Sequence, residues 1–117
     1  MMVVAYLAHP IGGQVLQNLE KVKSIARQIN LQEPDTVPFV PYFIDCHCLD
    51  DGVIVERLRG IKNNVELMQR GFIDELRLYG DKISSGMQAE IQLAHKLGIK
   101  IVPMTYATKS QFESLDL

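Results

Sequence analysis

Short apolar runs alternate with amphipathic segments along this 117-residue chain, and this alternation restricts the fold more than any other feature. Val3–Ala8 is almost entirely apolar, as expected of a strand that is buried on both faces of a sheet. Three further extended runs are predicted at residues 37–44, 73–79 and 100–104. Helical spacing of apolar residues predicts helices at residues 14–29, from 54 to near 71, at 84–97 and at 109–115.

Strands and helices that alternate in this order predict an α/β fold in which right-handed crossovers build a parallel sheet. The length predicts a single domain over residues 1–117. We therefore expect a Rossmann/flavodoxin-like three-layer sandwich with a parallel sheet of four to five strands. In such sheets ligands bind beyond the carboxyl ends of the strands, at helix N-termini. This rule selects the loops at residues 9–13 and 80–87.

The charge balance excludes some classes of partner. Lys and Arg number 12 against 14 Asp and Glu, a net charge of -2, which argues against a nucleic-acid polymer as the partner. A single nucleotide is still compatible, because it needs only a few backbone donors. The apolar N-terminal run is too short to span a membrane and has no basic leader or cleavage site. We expect a cytoplasmic protein that does not contact membranes.

Two cysteines stand close together as Cys46-His47-Cys48. Residues two apart have a poor geometry for a disulfide, and reduced thiols fit a cytosolic setting. The tripeptide also suggests a metal ligand set, but on an extended segment His47 would point away from both cysteines. Because no second ligand cluster exists, we expect no metal site.

Two serines and a glycine, Ser84, Ser85 and Gly86, stand at the start of a predicted helix and are followed by Met87. Ser85 with Gln88 fits a capping box. Hydroxyl groups next to the free N–H groups of a first helical turn make a natural anion site. Two interpretations stay open at this point, a phosphate cradle and a plain helix cap.

Glu90 falls within the apolar arc of the same helix, between Leu97 and Ala94 on a helical wheel. A carboxylate on a core-facing stripe is costly unless it is paired or functional. In the second turn it would lie just below the ligand-binding end of the sheet. The alternative is a side chain that reaches solvent because the helix end is exposed.

The loop after the first strand contains His9, Gly12 and Gly13. His9 has three possible roles, as a base, a phosphate contact or a hydrogen-bonding partner within the loop. The two glycines allow the backbone to approach a phosphate closely. The full Gly-x-Gly-x-x-Gly pattern and the Walker lysine are missing, which argues against a dinucleotide cofactor or ATP hydrolysis. Asn18, on the inward arc of the first helix, needs hydrogen-bond partners, and bracing this loop is favoured over binding a ligand.

Three segments together resemble a known superfamily. Residues 6–13 (YLAHPIGG) are similar to the opening strand and loop of the nucleoside 2-deoxyribosyltransferase-like superfamily. Residues 74–80 (DELRLYG) and 84–90 (SSGMQAE) resemble its second half, in particular that of a small bacterial and phage branch related to 2'-deoxynucleoside 5'-monophosphate N-glycosidases. The resemblance extends from residue 3 to about residue 102.

The resemblance implies a site and a reaction. Glu90 matches the glutamate that attacks the anomeric carbon, and Ser85 with Gly86 matches the residues that hold the 5' end of the sugar or its phosphate. Tyr6 and the loop at residues 9–13 match the other wall. The full set of implied substrate-binding residues is Tyr6, His9, Gly12, Gly13, Asn18, Ser84, Ser85, Gly86 and Met87.

This chain departs from the active members at one point. They carry a further aspartate on the preceding helix, where this sequence has Asn63, Asn64 and Glu66. A leaving base needs a proton, usually from a second carboxyl group. Asp45, Asp50 and Asp51 are candidates to replace the missing group, and the sequence does not place them.

The resemblance therefore leads to one expected function and two alternatives. We expect an N-glycosidase or deoxyribosyltransferase-like enzyme that acts on nucleosides or nucleoside 5'-monophosphates without metal or organic cofactor. The missing aspartate favours a second hypothesis, a non-catalytic nucleotide-binding module that senses or sequesters a nucleotide. A third hypothesis is a scaffold whose site is lost. Since superfamily members complete each site with a neighbour's residues, we also expect a homodimer or higher homo-oligomer.

Overall fold

A four-stranded parallel sheet forms the middle layer of the computed structural model, which describes all 117 residues. The strands are β1 (Val3–Ala8), β2 (Thr36–Phe39), β3 (Glu75–Leu78) and β4 (Lys100–Pro103). They lie in the order β2-β1-β3-β4, and every neighbouring pair is parallel. The predicted α/β fold and its parallel sheet are thereby confirmed.

Five helices surround the sheet and complete a Rossmann-like three-layer sandwich. They are α1 (Val15–Gln32), α2 (Tyr42–Cys48), α3 (Ile54–Met68), α4 (Ser85–Leu97) and α5 (Tyr106–Glu113). None of them is both long enough and apolar enough to cross a membrane. α5 begins three residues before its predicted start because Thr105 forms a capping box with Thr108.

Alternate residues of β1 enter the two layers of the core, as the pleat of a strand requires. Tyr6 and Ala8 belong to a cluster of ten buried residues that includes Met68 of α3 and Ile91 of α4. Ala5 and Leu7 point to the other face and pack with α1. β1 is therefore covered on both sides, which explains its nearly continuous apolar sequence.

The run at residues 37–44 is only partly a strand. β2 ends at Phe39, and α2 begins at Tyr42 with Pro41 as its N-cap. A proline tolerates this place because its fixed φ suits a helix start and its missing N–H is not needed there. Cys46, His47 and Cys48 form the last turn of this helix, so the assumption that they lie on an extended segment is wrong.

The apolar stripe of α3 is also placed differently from the prediction. Its C-terminal end, at Met68, is buried in the core, whereas Ile54, Leu58 and Ile61 are exposed. The helix ends at Met68 and not near Gly71. Helical periodicity predicts the apolar stripe correctly, but the hydrophobic core covers only the last turn of α3.

Candidate functional site

A cleft opens where the chain leaves β1 and β3, which are neighbours at the centre of the sheet. α1 follows β1 on one face and α4 follows β3 on the other, so the two connections diverge and leave a crevice at the carboxyl ends of the strands. The crevice holds about 270 Å³. Its walls are the loop after β1, helices α2 and α3, and the N-terminal half of α4. This is the place that the sequence predicted for a ligand.

Six of the predicted site residues line the cleft: His9, Gly12, Ser84, Gly86, Met87 and Glu90. Tyr6 lies beneath the cleft and is fully buried, and its contact with the cleft is its hydrogen bond to the Glu90 side chain. Gly13, Asn18 and Ser85 are not part of the lining. The structure therefore brings most of the predicted residues together and leaves three beside the cleft.

Glu90 is the carboxylate at the centre of a hydrogen-bonded chain of side chains. The Tyr6 hydroxyl donates to Glu90 Oε2, and Asn64 Nδ2 donates to the Tyr6 hydroxyl oxygen at 2.6 Å. Tyr6 is wholly buried in β1, and Asn64 projects from α3. Three separate elements thus hold the carboxylate, which is directed toward Tyr6 rather than out past the helix end.

The environment of Glu90 changes its titration. Burial raises the pKa of the Glu90 carboxyl to about 7, and hydrogen bonds from Tyr6 and Asn64 oppose this rise. Burial, together with the Glu90 charge, raises the pKa of the Tyr6 hydroxyl well above its ordinary value. Tyr6 therefore remains a hydrogen-bond donor at neutral pH, while Glu90 exists in both protonation states there. A carboxyl group that titrates near neutral pH in a cleft is a candidate catalytic group.

Several polar residues in the cleft wall were not among the predicted site residues. Asn64 had a weak signal, because it borders the apolar stripe of α3. Asp45 was a candidate second carboxyl group and Cys46 was considered only as a metal ligand, and neither could be placed because both belong to α2, a helix that the sequence did not predict. Burial raises the pKa of the Cys46 thiol to about 11, so this thiol stays protonated and is a poor nucleophile.

Three further carboxylates were left unplaced by the sequence. Asp45 and Asp51 line the cleft, whereas Asp50 does not. Asp45 Oδ2 accepts a hydrogen bond from Asn63 Nδ2 at 3.3 Å. Asp74 lies at the opposite end of the sheet, where its carboxylate accepts from the Val4 N–H at 2.8 Å, and its role is structural.

The loop after β1 is built by hydrogen bonds within the loop. Asn18 Nδ2 donates to the Ile11 carbonyl oxygen at 3.0 Å, which is the bracing role that the sequence favoured. His9 Nδ1 lies 2.6 Å from the Pro10 carbonyl oxygen. A carbonyl oxygen only accepts, so this contact requires a proton on His9 Nδ1. Gly13 adopts φ +89°, a conformation that glycine permits at the turn into α1.

The N-terminus of α4 is capped by Ser84 and not by Ser85. Ser84 Oγ accepts from the Met87 N–H at 3.3 Å, while Ser85 is the first helical residue and is exposed. The predicted capping box of Ser85 with Gln88 is therefore wrong, because the cap is Ser84 and no side chain of the first turn bonds back to its backbone. Ser84 and Gly86 both line the cleft, so the positive end of the α4 dipole lies in its wall.

This cap gives a direct test with a matched control. We expect Ser84→Ala to lower the free energy of unfolding by about 1 kcal/mol, because it removes the acceptor of the Met87 N–H. Ser85→Ala should change it by less than about 0.5 kcal/mol, since that side chain is exposed. Urea denaturation followed by circular dichroism measures both. Equal losses in the two variants would show that the cap is not specific to Ser84.

Comparison with known proteins gives one match. No curated protein and no solved structure shows significant sequence or structural similarity to this chain. One family model, described as a domain of unknown function (DUF7768), matches residues 3–104. The matched region spans β1 to β4 and includes every residue of the cleft described above. The chain therefore belongs to the DUF7768 family.

Proposed function

We propose that the chain is an N-glycosidase, or a related deoxyribosyltransferase, that acts on nucleosides or nucleoside 5'-monophosphates with Glu90 as the nucleophile. One observation carries this proposal. The Glu90 carboxylate is held by the Tyr6 hydroxyl in a cleft at the carboxyl ends of β1 and β3, and the N-terminus of α4 forms part of the same wall. A nucleophilic carboxylate and an anion-binding helix end are the two parts that a nucleotide glycosidase needs.

The reaction follows from the position of this carboxylate. An ionised Glu90 oxygen would attack C1' of the sugar while the C1'–N bond to the base breaks, through an oxocarbenium-like transition state. The bond electrons leave with the base, which takes up a proton. Water, or the nitrogen of a second base, would then attack C1' of the glycosyl ester and release Glu90 as a carboxylate. The first acceptor gives a hydrolase and the second a transferase.

A donor of the proton to the leaving base is also available in the cleft. Asp45 and Asp51 both line it, on the side formed by α2 and the turn before α3. Either carboxyl group would act as the general acid that active superfamily members place on the preceding helix. The hydrogen bond from Asn63 to Asp45 holds one of them in a fixed position.

The proposed phosphate position is the start of α4. Ser84 has a hydroxyl proton to donate, because its oxygen already accepts from the Met87 N–H. Gly86 has no side chain to block the approach of a phosphate to the backbone N–H groups of the first turn. Arg57 also lines the cleft, where its guanidinium lies 3.9 Å from the Asp51 carboxylate. A net charge of -2 is thus compatible with binding one nucleotide.

A panel of substrates tests this proposal. The full-length protein is incubated with the common ribonucleosides, deoxyribonucleosides and their 5'-monophosphates, and free base is measured by liquid chromatography. We expect release from at least one substrate, together with the matching sugar or sugar phosphate. A second run with a competing free base separates hydrolysis from transfer. No base from any substrate would refute the proposed activity.

A second function is supported by a specific observation at Asn64. Its Oδ1 is buried and has no hydrogen-bond partner, and an amide here cannot donate a proton to a leaving base as a carboxyl group does. This favours a non-catalytic module that binds a nucleotide. Thermal-shift measurements with the same panel distinguish the two functions, because a binding module gains stability without turnover. The open cleft does not support the third hypothesis, a scaffold with a lost site.

A further inference from the structure

Carboxylates outnumber cationic side chains in the wall of the cleft. Arg57 is the only lysine or arginine there, whereas the acidic residues of the lining are Asp45, Asp51, Glu56 and Glu90. The Arg57 guanidinium lies 3.9 Å from the Asp51 carboxylate, so part of its charge is already compensated. A cleft lined mainly by one sign of charge concentrates the field and attracts a ligand of the opposite sign. The lining therefore favours a ligand that brings a positive charge.

Most of the acidic groups lie on one side of the cleft. Asp45 belongs to α2, Asp51 to the turn before α3, and Glu56 to the first turn of α3. The side formed by the start of α4 carries Ser84 and Gly86 instead and presents the positive end of a helix dipole. A nucleoside that directs its 5' end toward α4 would place its base against the acidic side.

Two observations within the wall show a negative potential on this side. Burial raises the pKa of the Cys46 thiol to about 11, and among the nearby charges those of Asp51, Asp45 and Glu90 add to the rise. These carboxylates come from different elements and act on the same sulfur atom. The Asn64 side chain also lines the cleft, and its carbonyl oxygen is buried without a hydrogen-bond donor. Both observations favour an electron-poor ligand.

The chemistry of the leaving base points to the same ligand. A neutral base takes up a proton as the C1'–N bond breaks, and Asn64 stands on the helix where active superfamily members carry an aspartate. An amide does not supply that proton. A base with a positively charged ring nitrogen needs none, because the bond electrons neutralise that nitrogen. Such a substrate removes the objection that Asn64 raises against catalysis.

We infer that the cleft takes an N-glycoside whose base carries a positive charge, an N-ribosyl pyridinium or an N7-alkylated purine nucleoside, and that Asp45, Asp51 and Glu56 hold the charged ring. This inference deepens the proposed function and rests on it for the reaction. A Glu90 oxygen forms a bond to C1' as the C1'–N bond breaks, and the base leaves as a neutral molecule. Water then attacks C1' and loses a proton to the solvent, and Glu90 is released as a carboxylate.

Two ligands of nearly the same shape and different charge test the inference. Nicotinamide riboside carries a cationic ring, and its 1,4-dihydro form is neutral. Titration calorimetry with the full-length Glu90→Gln variant, which lacks the nucleophile, gives both dissociation constants. We expect the cation to bind at least about tenfold more tightly at about 20 mM salt, and the ratio to shrink at about 0.5 M, because salt screens the attraction.

Neutralising the acidic side shows which residues are responsible. Asp45→Asn and Asp51→Asn, each added to Glu90→Gln, should weaken binding of the cation by about fivefold and change binding of the dihydro form by less than about twofold. Glu20→Gln on the exposed surface of α1 is the matched control and should change neither. Circular dichroism confirms that each variant is folded.

Base release by the wild type gives a separate readout. After subtraction of spontaneous hydrolysis, we expect 7-methylguanosine, which is cationic, to release its base at least about tenfold faster than guanosine. Faster release from guanosine would overturn the inference and leave the proposed activity intact. No measurable binding of the cation, equal dissociation constants for the two nicotinamide ligands, or equal losses of both in the aspartate variants would also overturn it. Selective binding of the cation without base release would uphold the acidic side as its binding site and refute only the proposed activity.

Discussion

Glu90→Gln is expected to reduce base release by a factor of about 10³ or more, while the folded protein becomes more stable at alkaline pH. Glutamine has nearly the same shape and its carbonyl oxygen can accept from the Tyr6 hydroxyl, but it cannot attack C1' as an anion does. The gain in stability reports only that burial disfavours the Glu90 charge, whereas the loss of base release reports the proposed role of Glu90 as nucleophile.

The effect on stability depends on pH in a defined way. Burial raises the pKa of Glu90 from 4.5 to about 7 in the folded protein. Between these two values the native state binds more protons than the unfolded state, so the stability of the wild type falls as pH rises through this window. Above this pH window, the loss in free energy of unfolding reaches about 3 kcal/mol at most, since each pKa unit corresponds to about 1.4 kcal/mol. Glutamine has no charge, and the variant avoids this loss.

Urea denaturation at pH 4 and pH 8 measures the difference. We expect similar stabilities of wild type and Glu90→Gln at pH 4 and a more stable variant at pH 8. Glu20→Gln on the exposed surface of α1 is the control and should match the wild type at both values. The activity of the wild type should rise along an acidic limb with a midpoint near 7, as Glu90 ionises. A Glu90→Gln variant that releases base normally would remove Glu90 from the reaction.

The order of strands and helices was predictable from sequence because each element carries its own periodicity. The continuous apolar run of Val3–Ala8 indicated a strand covered on both faces, and the sheet order places it beside β3. The position of the cleft followed from the same order, since parallel strands end at one edge. Glu90 could be predicted as a site residue because it interrupts the apolar arc of α4. This signal lies within a single helix and requires no knowledge of tertiary contacts.

Other parts of the site depend on contacts between distant segments, which periodicity does not report. The contact of Asn64 with Tyr6 joins residues 58 apart in the chain, and neither residue identifies the other. α2 was missed because prolines and aromatic residues are typical of an extended run, although Pro41 starts the helix. The exposed α3 stripe shows the same limit, because periodicity reveals an apolar face but not what covers it.

Gly80, in the loop after β3, lies against Pro10 in the loop after β1. Among the substitutions considered, Gly80→Ala is expected to cause the largest loss of stability. Gly80 has φ +91°, and a Cβ there would lie 2.6 Å from Pro10 Cδ and 3.2 Å from Pro10 Cγ. The pyrrolidine ring is rigid, so the loop that contains His9 must move to make room. Strain in the left-handed region and the steric clash together should lower the free energy of unfolding by about 3 kcal/mol.

Gly13→Ala separates these two contributions. Gly13 has a similar φ of +89°, but a Cβ there meets nothing within 4 Å. This variant should therefore lose only about 1 kcal/mol, from the backbone conformation alone. Urea denaturation gives the difference between the two variants, which reports the contact of Gly80 with Pro10. Equal losses would mean that the two loops are not in contact at this point. If the difference is found, the loop after β3 holds the loop after β1 in place. Gly80→Ala should then weaken ligand binding at His9 as well as lower the stability of the fold.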